Sequence, residues 1–428
     1  MEDDFSFHGV NPPFLPPGFL GLRARAPVDS TSSTLAAPPP PPPPLRAPPR
    51  LPDGVVEDIF LRIPPEDPAR LLRSALTCKR WGRLIADRGF RRRYRERHGR
   101  APMLLGFLAN LIDNAGIARF FPVAGAGAFR PERVDRDGYR AHDARHGRVL
   151  LNRISDDAPP HDAAAAAALV VWEPTTGDQW PLPLLERPQP VLHWNAAVLC
   201  AATAEPCDHL DCHHGHFAVV FVGIDAQQMF SYMYSSEFNV WMEGTTAGIP
   251  DEPLHESSPS ALARNGLYFM FNDETLMLRY DLATRGMSVV ALPYRPDARR
   301  LALMVMEDDA LGYAEVDYFG RTLRIIAMQE GNGDGWELRI LVPLREFLPP
   351  RALRCSPDVV AVANDVGVVF LSTTDGLYTL DLNSGNCKRV MSNRFYDIVP
   401  YAGFYTPVLK AALATSGEGS STPASTSA

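Results

Sequence analysis

The sequence predicts an α+β multidomain chain: a small helical bundle, then an all-β domain built as a β-propeller of six or seven blades. Three observations predict it. Apolar residues between Leu51 and His98 recur at helical spacing. After Gly99 the pattern turns to short β-branched and aromatic runs, broken by Gly, Asn and Asp. Within that region three stretches share one strand–turn–strand grammar, at a repeat of about 45–50 residues, the length of a propeller blade.

The helical stripes are short. Val55, Val56, Ile59 and Phe60 form the first, and Leu71, Leu72, Ala75 and Leu76 the second. Cys78, Trp81, Leu84 and Ile85 form a third, and Phe90 and Tyr94 a fourth. Asp53 and Asp67 are placed to cap helix N-termini, and Pro64-Pro65 separates the first helix from the second. A bundle this small lies near the lower size limit for independent folding, so a partner or neighbouring domain is expected to complete it.

In the β region, Gly266-Leu-Tyr-Phe-Met-Phe, Thr275-Leu-Met-Leu-Arg-Tyr-Asp-Leu and Gly286-Met-Ser-Val-Val-Ala-Leu-Pro read as three successive strands. Gly367-Val-Val-Phe-Leu-Ser, Gly376-Leu-Tyr-Thr-Leu-Asp-Leu and Asn386-Cys-Lys-Arg-Val repeat them, and Leu169-Val-Val-Trp with the following Glu173-Pro-Thr-Thr-Gly is a partial third copy. A β-sandwich or a pair of sheets is the alternative. The domain is expected to close, its last strands, near Phe395–Leu409, packing beside strands from its beginning, because closure removes exposed edges. Ala163–Ala168 reads as a loop insertion. Residues 1–47, ending in the proline run Pro38–Pro44, and residues 411–428 are expected to be disordered. This leaves a helical domain at 48–99 and a β domain at 100–410.

Composition narrows the function. The net charge of −8 argues against a dedicated nucleic-acid binder. Residues 48–99 nevertheless carry 13 Lys and Arg against 7 Asp and Glu, a basic module on an acidic chain. The Arg91–Arg97 run lies at helical spacing with Phe90 and Tyr94 inward, and reads as a solvated helix face. Six cysteines form no disulfide framework, the first residues are acidic where a secretory signal needs positive charge, and no apolar run is long enough to span a membrane. An intracellular protein of cytoplasm or nucleus is expected, with no membrane partner.

Leu51-Pro-Asp-Gly-Val-Val-Glu-Asp-Ile-Phe-Leu-Arg-Ile-Pro-Pro, followed by Leu71-Leu-Arg-Ser-Ala-Leu-Thr-Cys-Lys-Arg-Trp-Gly-Arg-Leu-Ile, closely resembles an F-box. The Leu-Pro opening, the Ile-x-x-x-Ile-Pro spacing and the Cys-Lys-Arg-Trp element match. Thr77 and Gly82 depart from the usual aliphatic residue and Arg. The tail from Phe90, and the propeller-like region behind, resemble plant, grass-type F-box proteins. The resemblance implies a substrate receptor of an SCF-type ubiquitin ligase. In that role a Skp-type adaptor links the chain to a cullin–RING ligase, and the β domain holds a protein substrate. It also implies an adaptor surface drawn from Leu51, Pro52, Val55, Ile59, Ile63, Pro64, Leu71, Leu72, Leu76, Cys78 and Trp81.

The densest cluster of ligand-type residues is Cys207-Asp-His-Leu-Asp-Cys-His-His-Gly-His216. Cys207, His209, Cys212 and His214 are chemically suited to zinc. No second cysteine pair stands at finger spacing, however, so a polar loop between strands Val198–Thr203 and Phe217–Val222 is the expected reading, with no metal or other cofactor. No nucleophile elbow, phosphate loop or His-Glu-x-x-His element occurs, so no catalysis by this chain is expected. The alternatives are an F-box scaffold or regulator without ubiquitination, and a β-propeller enzyme with a helical cap.

Overall fold

The computed structural model describes residues 50–403, apart from 65–67, 99–102, 112–115, 124–128, 155–167, 188, 202–206, 208, 210–211, 213–214, 251, 257, 294–299 and 330–334. The proline run, Asp67, Ala163–Ala167 and the two terminal segments therefore lie outside the described residues.

Four helices open the described chain: α1 (Asp53–Phe60), α2 (Pro68–Thr77), α3 (Lys79–Ala86) and α4 (Arg88–His98). Their inward residues, Val56, Phe60, Leu71, Ala75, Ile85, Phe90 and Tyr94 among them, make a core of their own. Edge-to-face contacts run from Phe60 to Trp81 (ring centroids 5.3 Å apart) and from Phe60 to Phe90 (6.5 Å). The last helix is tied back to the first. Tyr94 Oη donates to the Ile63 carbonyl at 3.0 Å, and His98 Nε2 lies 2.7 Å from the Leu61 carbonyl.

Two local expectations are corrected. Asp53 is not a cap: Pro52 holds that position, and the Asp53 carboxylate instead accepts from Arg80 Nε at 2.6 Å, tying the start of α1 to α3. The Arg91–Arg97 run is not wholly solvated. Arg92 and Arg93 are exposed and pair with Glu96 and Glu57, but Arg91 and Arg95 are buried beside Tyr94. Their i, i+4 spacing puts both aliphatic stems on the packed side of α4.

The rest forms six four-stranded antiparallel sheets, the blades of a propeller. Blade 2 comprises Tyr139–Arg145, Arg148–Arg153, Leu169–Trp172 and Gln179–Pro181. Blade 3 comprises His193–Cys200, Phe217–Ile224, Met229–Ser235 and Val240–Ala247. Blade 4 follows as Ala261–Ala263, Gly266–Met270, Leu276–Asp281 and Met287–Ala291. Blade 5 is Leu301–Val305, Leu311–Val316, Thr322–Met328 and Trp336–Pro343, and blade 6 is Asp358–Ala363, Val368–Thr373, Gly376–Asp381 and Cys387–Met391. Blade 1 is composite: Met103–Leu111, Ile117–Pro122 and Asp135–Asp137 are completed by the C-terminal strand Ile398–Gly403. That strand pairs with Met103–Leu111 in antiparallel register, Leu108 opposite Val399, so the ring closes as expected.

Each junction between neighbouring blades has its own apolar cluster. Trp172, Phe120 and Tyr401 join blades 1 and 2, and Phe107, Ile398 and Phe370 join blades 6 and 1. A blade must therefore be apolar on both faces, which is why its first three strands read as continuous runs such as Gly266–Met270 rather than as alternation. Fourth strands such as Met287–Ala291 are largely exposed.

Polar clamps near the axis reinforce the apolar junctions. The Asn110 amide both donates to the carbonyl and accepts from the N–H of Ala141, each at 2.8 Å. Asp143 accepts from the Val198 N–H at 2.9 Å, and Asn364 from the Val305 N–H at 3.0 Å.

The repeated turns share a common framework. The acidic residue at the end of the third strand, or just after it in blade 2, donates its N–H to the carbonyl five positions on: Glu173 to Asp178 (2.9 Å), Asp281 to Gly286 (2.9 Å) and Asp381 to Asn386 (3.0 Å). The hydroxyls of Thr176, Thr284 and Ser384 each accept an N–H two residues on. The next position is left-handed in all three copies, as Gly177 (φ 87°), Arg285 (φ 58°) and Gly385 (φ 68°). Only in blade 4 does a side chain bear that conformation, at a cost of about 1–2 kcal/mol. Arg285→Gly should therefore raise the melting temperature by about 1–2 °C after the entropy of the added glycine is subtracted. A lower melting temperature would show that the Arg285 side chain contributes more than its backbone costs.

Glu173 is buried at the first of these turns, and burial pushes its carboxyl up to about 7 despite a hydrogen bond from Thr175. The unfolded chain releases this proton near 4.5, while the folded chain holds it to about 7. The stability that this group contributes is thus full below pH 4.5 and is lost as pH rises to 7. Glu173→Gln, neutral throughout, should flatten the fall in urea midpoint across that window; an unchanged slope would contradict the assignment.

Candidate functional site

Two places combine unusual chemistry with a defined geometry: one side of the helical module and one end of the propeller channel.

On the module, Val55 and Ile59 lie at i, i+4 spacing on one side of α1, Leu51 stands just before the helix, and each is about half exposed (Ile59 49%). Leu76, near the end of α2, is 60% exposed. Pro52, Pro64 and Cys78 are exposed as well. These apolar side chains lie outside the core cluster of the module. Ile63 and Leu71, expected on the same surface, are buried in that core and support the face from below. Trp81 is half-buried, one edge on Phe60. The Leu72 side chain lies outside the described residues. Arg80 braces the face, donating from Nη2 to the Leu51 carbonyl at 2.7 Å as well as to Asp53.

At the channel, the first strands of all blades run in the same direction, so their connections to the second strands gather at one end. A cavity of about 1210 Å³ opens there, walled by His146, His209, Arg264, Asp308 and Asp365 among others. Most of these connections are short: Arg145 to Arg148 in blade 2 and Ala263 to Gly266 in blade 4 leave two residues each. In blade 3 the connection runs through residues 201–216.

That long connection brings ligand-type side chains together. Cys207, His209 and Cys212 converge as the sequence suggested, and Cys200, the last residue of the first strand of blade 3, joins them. One ligand atom from each of the four lies within 4.8 Å of the others. His214 lies outside the described residues. Cys200 stands outside the dense Cys207–His216 cluster in the sequence, on the strand before it. The full spacing, Cys-x6-Cys-x-His-x2-Cys, would have included it.

His209 Nδ1 is 3.5 Å from Cys212 Sγ, and the His209 ring stacks on that of His146 with centroids 3.7 Å apart. A hydrogen bond with Cys200, together with burial, pushes the Cys212 thiol far above its usual range; burial raises Cys207 as well. Arg148 is buried beside them and donates to the Cys212 carbonyl at 3.0 Å and to the Gly215 carbonyl.

The F-box domain family matches residues 48–93 of this chain. No curated protein matches it. Among solved structures the chain is similar in fold to a functionally unknown protein from Desulfotomaculum acetoxidans DSM 771, at 14% identity and TM-score 0.37, covering 67% of this chain and 79% of that one. TolB from Acinetobacter baumannii is similar at 11% identity and TM-score 0.40, covering 70% and 68%. A chain of a nidogen/laminin complex is similar at 9% identity and TM-score 0.37, covering 69% and 97%. No helix among the described residues is long and apolar enough to cross a membrane.

Proposed function

We propose that this chain is the substrate-receptor subunit of an SCF-type cullin–RING ubiquitin ligase. In this reading the F-box docks on a Skp-type adaptor, and the propeller binds the protein to be ubiquitinated. The observation that carries it is the exposed apolar face of Leu51, Val55, Ile59 and Leu76 over the helical core, within the residues that match the F-box domain. An apolar surface of this kind is what a helix-in-groove partner buries. The basic balance of residues 48–99 would speed association with an acidic adaptor surface.

The receptor role assigns no bond-making step to the chain. Its part is to hold a substrate in reach of a ubiquitin-loaded enzyme. The cavity at the channel end, with Arg145, Arg264 and Arg339 facing Glu307, Asp308 and Asp365, offers a recessed surface of both charge signs for a polar protein segment.

The test is co-purification of the full-length chain with a Skp-type adaptor and a cullin, followed by a search for proteins whose abundance rises when the chain is removed. Adaptor and cullin recovered, with no protein stabilised, would favour a scaffold or regulator without ubiquitination. Failure to recover the adaptor would overturn the reading.

A further inference from the structure

We propose that Cys200, Cys207, His209 and Cys212 form a closed Cys3His site for a zinc ion, which pins the 201–216 connection of blade 3 at the mouth of the channel. The site is independent of the F-box face and of the receptor role.

Geometry carries the assignment. Zinc bound at about 2.3 Å from sulfur and about 2.0–2.1 Å from nitrogen in a tetrahedron holds those two ligands about 3.6 Å apart, and two sulfurs about 3.8 Å apart. His209 Nδ1 and Cys212 Sγ stand at 3.5 Å, already at that spacing. The remaining distances, none above 4.8 Å, need to close by no more than about 1 Å. Three thiols and one imidazole on four points are the donor set and count of a structural zinc centre. Thiolate softness disfavours calcium or magnesium.

The surroundings fit the same ion. Zinc with three thiolates and a neutral imidazole carries one net negative charge, and the buried Arg148 guanidinium supplies the opposite charge next to it. Arg148 also holds the backbone of the ligand loop at Cys212 and Gly215. The stack of His146 on His209 fixes the plane of the ligating ring, as an outer shell must.

The fold supplies an independent reason for such a device. Sixteen residues separate Cys200 from Phe217, against two in the corresponding connections of blades 2 and 4, and His209 within them lines the cavity. Among the described residues of the segment, Cys212 is the one buried hydrophobic side chain. A metal ion would tie this segment to the end of the strand at Cys200. Because His209 lines the cavity, the ion also sets the shape of one wall of the channel mouth.

The experiment uses the full-length chain, purified without chelator, with its metal content measured by mass spectrometry. We expect about one zinc ion per chain. Cobalt(II) put in its place should give tetrahedral ligand-field bands with thiolate charge transfer, which zinc then bleaches. Of the six cysteines, three should resist a thiol reagent until a chelator is added, and chelation should abolish hydrogen-exchange protection in the 201–216 segment while the other blades stay protected. Cys200→Ser should lose the zinc, whereas Cys355→Ser, at an exposed cysteine, should retain it. If Cys200→Ser fails to fold, the cobalt spectrum and thiol protection of the parent chain still decide. Absence of saturable zinc binding, a disulfide among these cysteines, or full zinc retention in a folded Cys200→Ser variant would overturn the proposal.

Discussion

Deletion of the chain from Ser392 onward should unfold the entire propeller, not just blade 1. The lost strand, Ile398–Gly403, is the innermost of its blade and the only covalent return of the ring to its beginning. Its side chains serve two junctions: Ile398 packs between blades 6 and 1, and Val399 and Tyr401 between blades 1 and 2. Burying each contributes about 1.5–3 kcal/mol, and Met103–Leu111 would lose one of its two hydrogen-bonded neighbours and become an edge strand paired only with Ile117–Pro122. The summed loss is comparable with the 5–15 kcal/mol that holds a typical domain folded. Limited proteolysis should find no protected fragment larger than one or two blades, and thermal unfolding should show no cooperative transition. A stable core reaching from blade 2 to blade 6 would mean that closure contributes little.

The second large effect separates docking from folding. Ile59→Glu places a charge on an exposed position of α1 and keeps a good helix former there. Stability should therefore change by no more than about 0.5 kcal/mol. If the face of Leu51, Val55 and Ile59 is buried by a Skp-type adaptor, the same change leaves a charge desolvated in the interface, and affinity should fall by about 2–4 kcal/mol, at least ~30-fold. Trp81→Ala is the contrasting variant. Trp81 packs its edge on Phe60, so its truncation should lower the melting temperature and weaken binding together. Isothermal titration with the purified adaptor, run beside thermal melts, reads both. Unchanged affinity for Ile59→Glu would remove the adaptor from this face.

The features legible in the sequence are those that depend on neighbours along the chain. The helical stripes from Val55 to Tyr94 follow from the 3.6-residue period, and Cys78 and Trp81 carried a motif of fixed spacing. The turns after Glu173, Asp281 and Asp381 declared themselves because a side-chain acceptor, a hydroxyl and a left-handed residue must stand at set intervals for the turn to close. Such constraints repeat wherever the unit repeats, and a single sequence displays them.

What remained hidden depends on residues far apart in the chain. The number of blades is decided by the angle at which Phe107 meets Phe370, or Trp172 meets Tyr401, and six such junctions must complete the circle. Local periodicity is the same for a ring of six or seven. Ile63 and Leu71 look no different in sequence from Ile59 and Leu76, because an amphipathic helix shows which residues are apolar but not which of them the neighbouring helix covers. Cys200 is similar: it terminates a strand seven residues before the Cys/His cluster, and only in the folded chain does its sulfur lie close to the others. Local periods and turn chemistry are written in consecutive residues, whereas burial, closure and the convergence of ligands are properties of surfaces that meet only after the chain has folded.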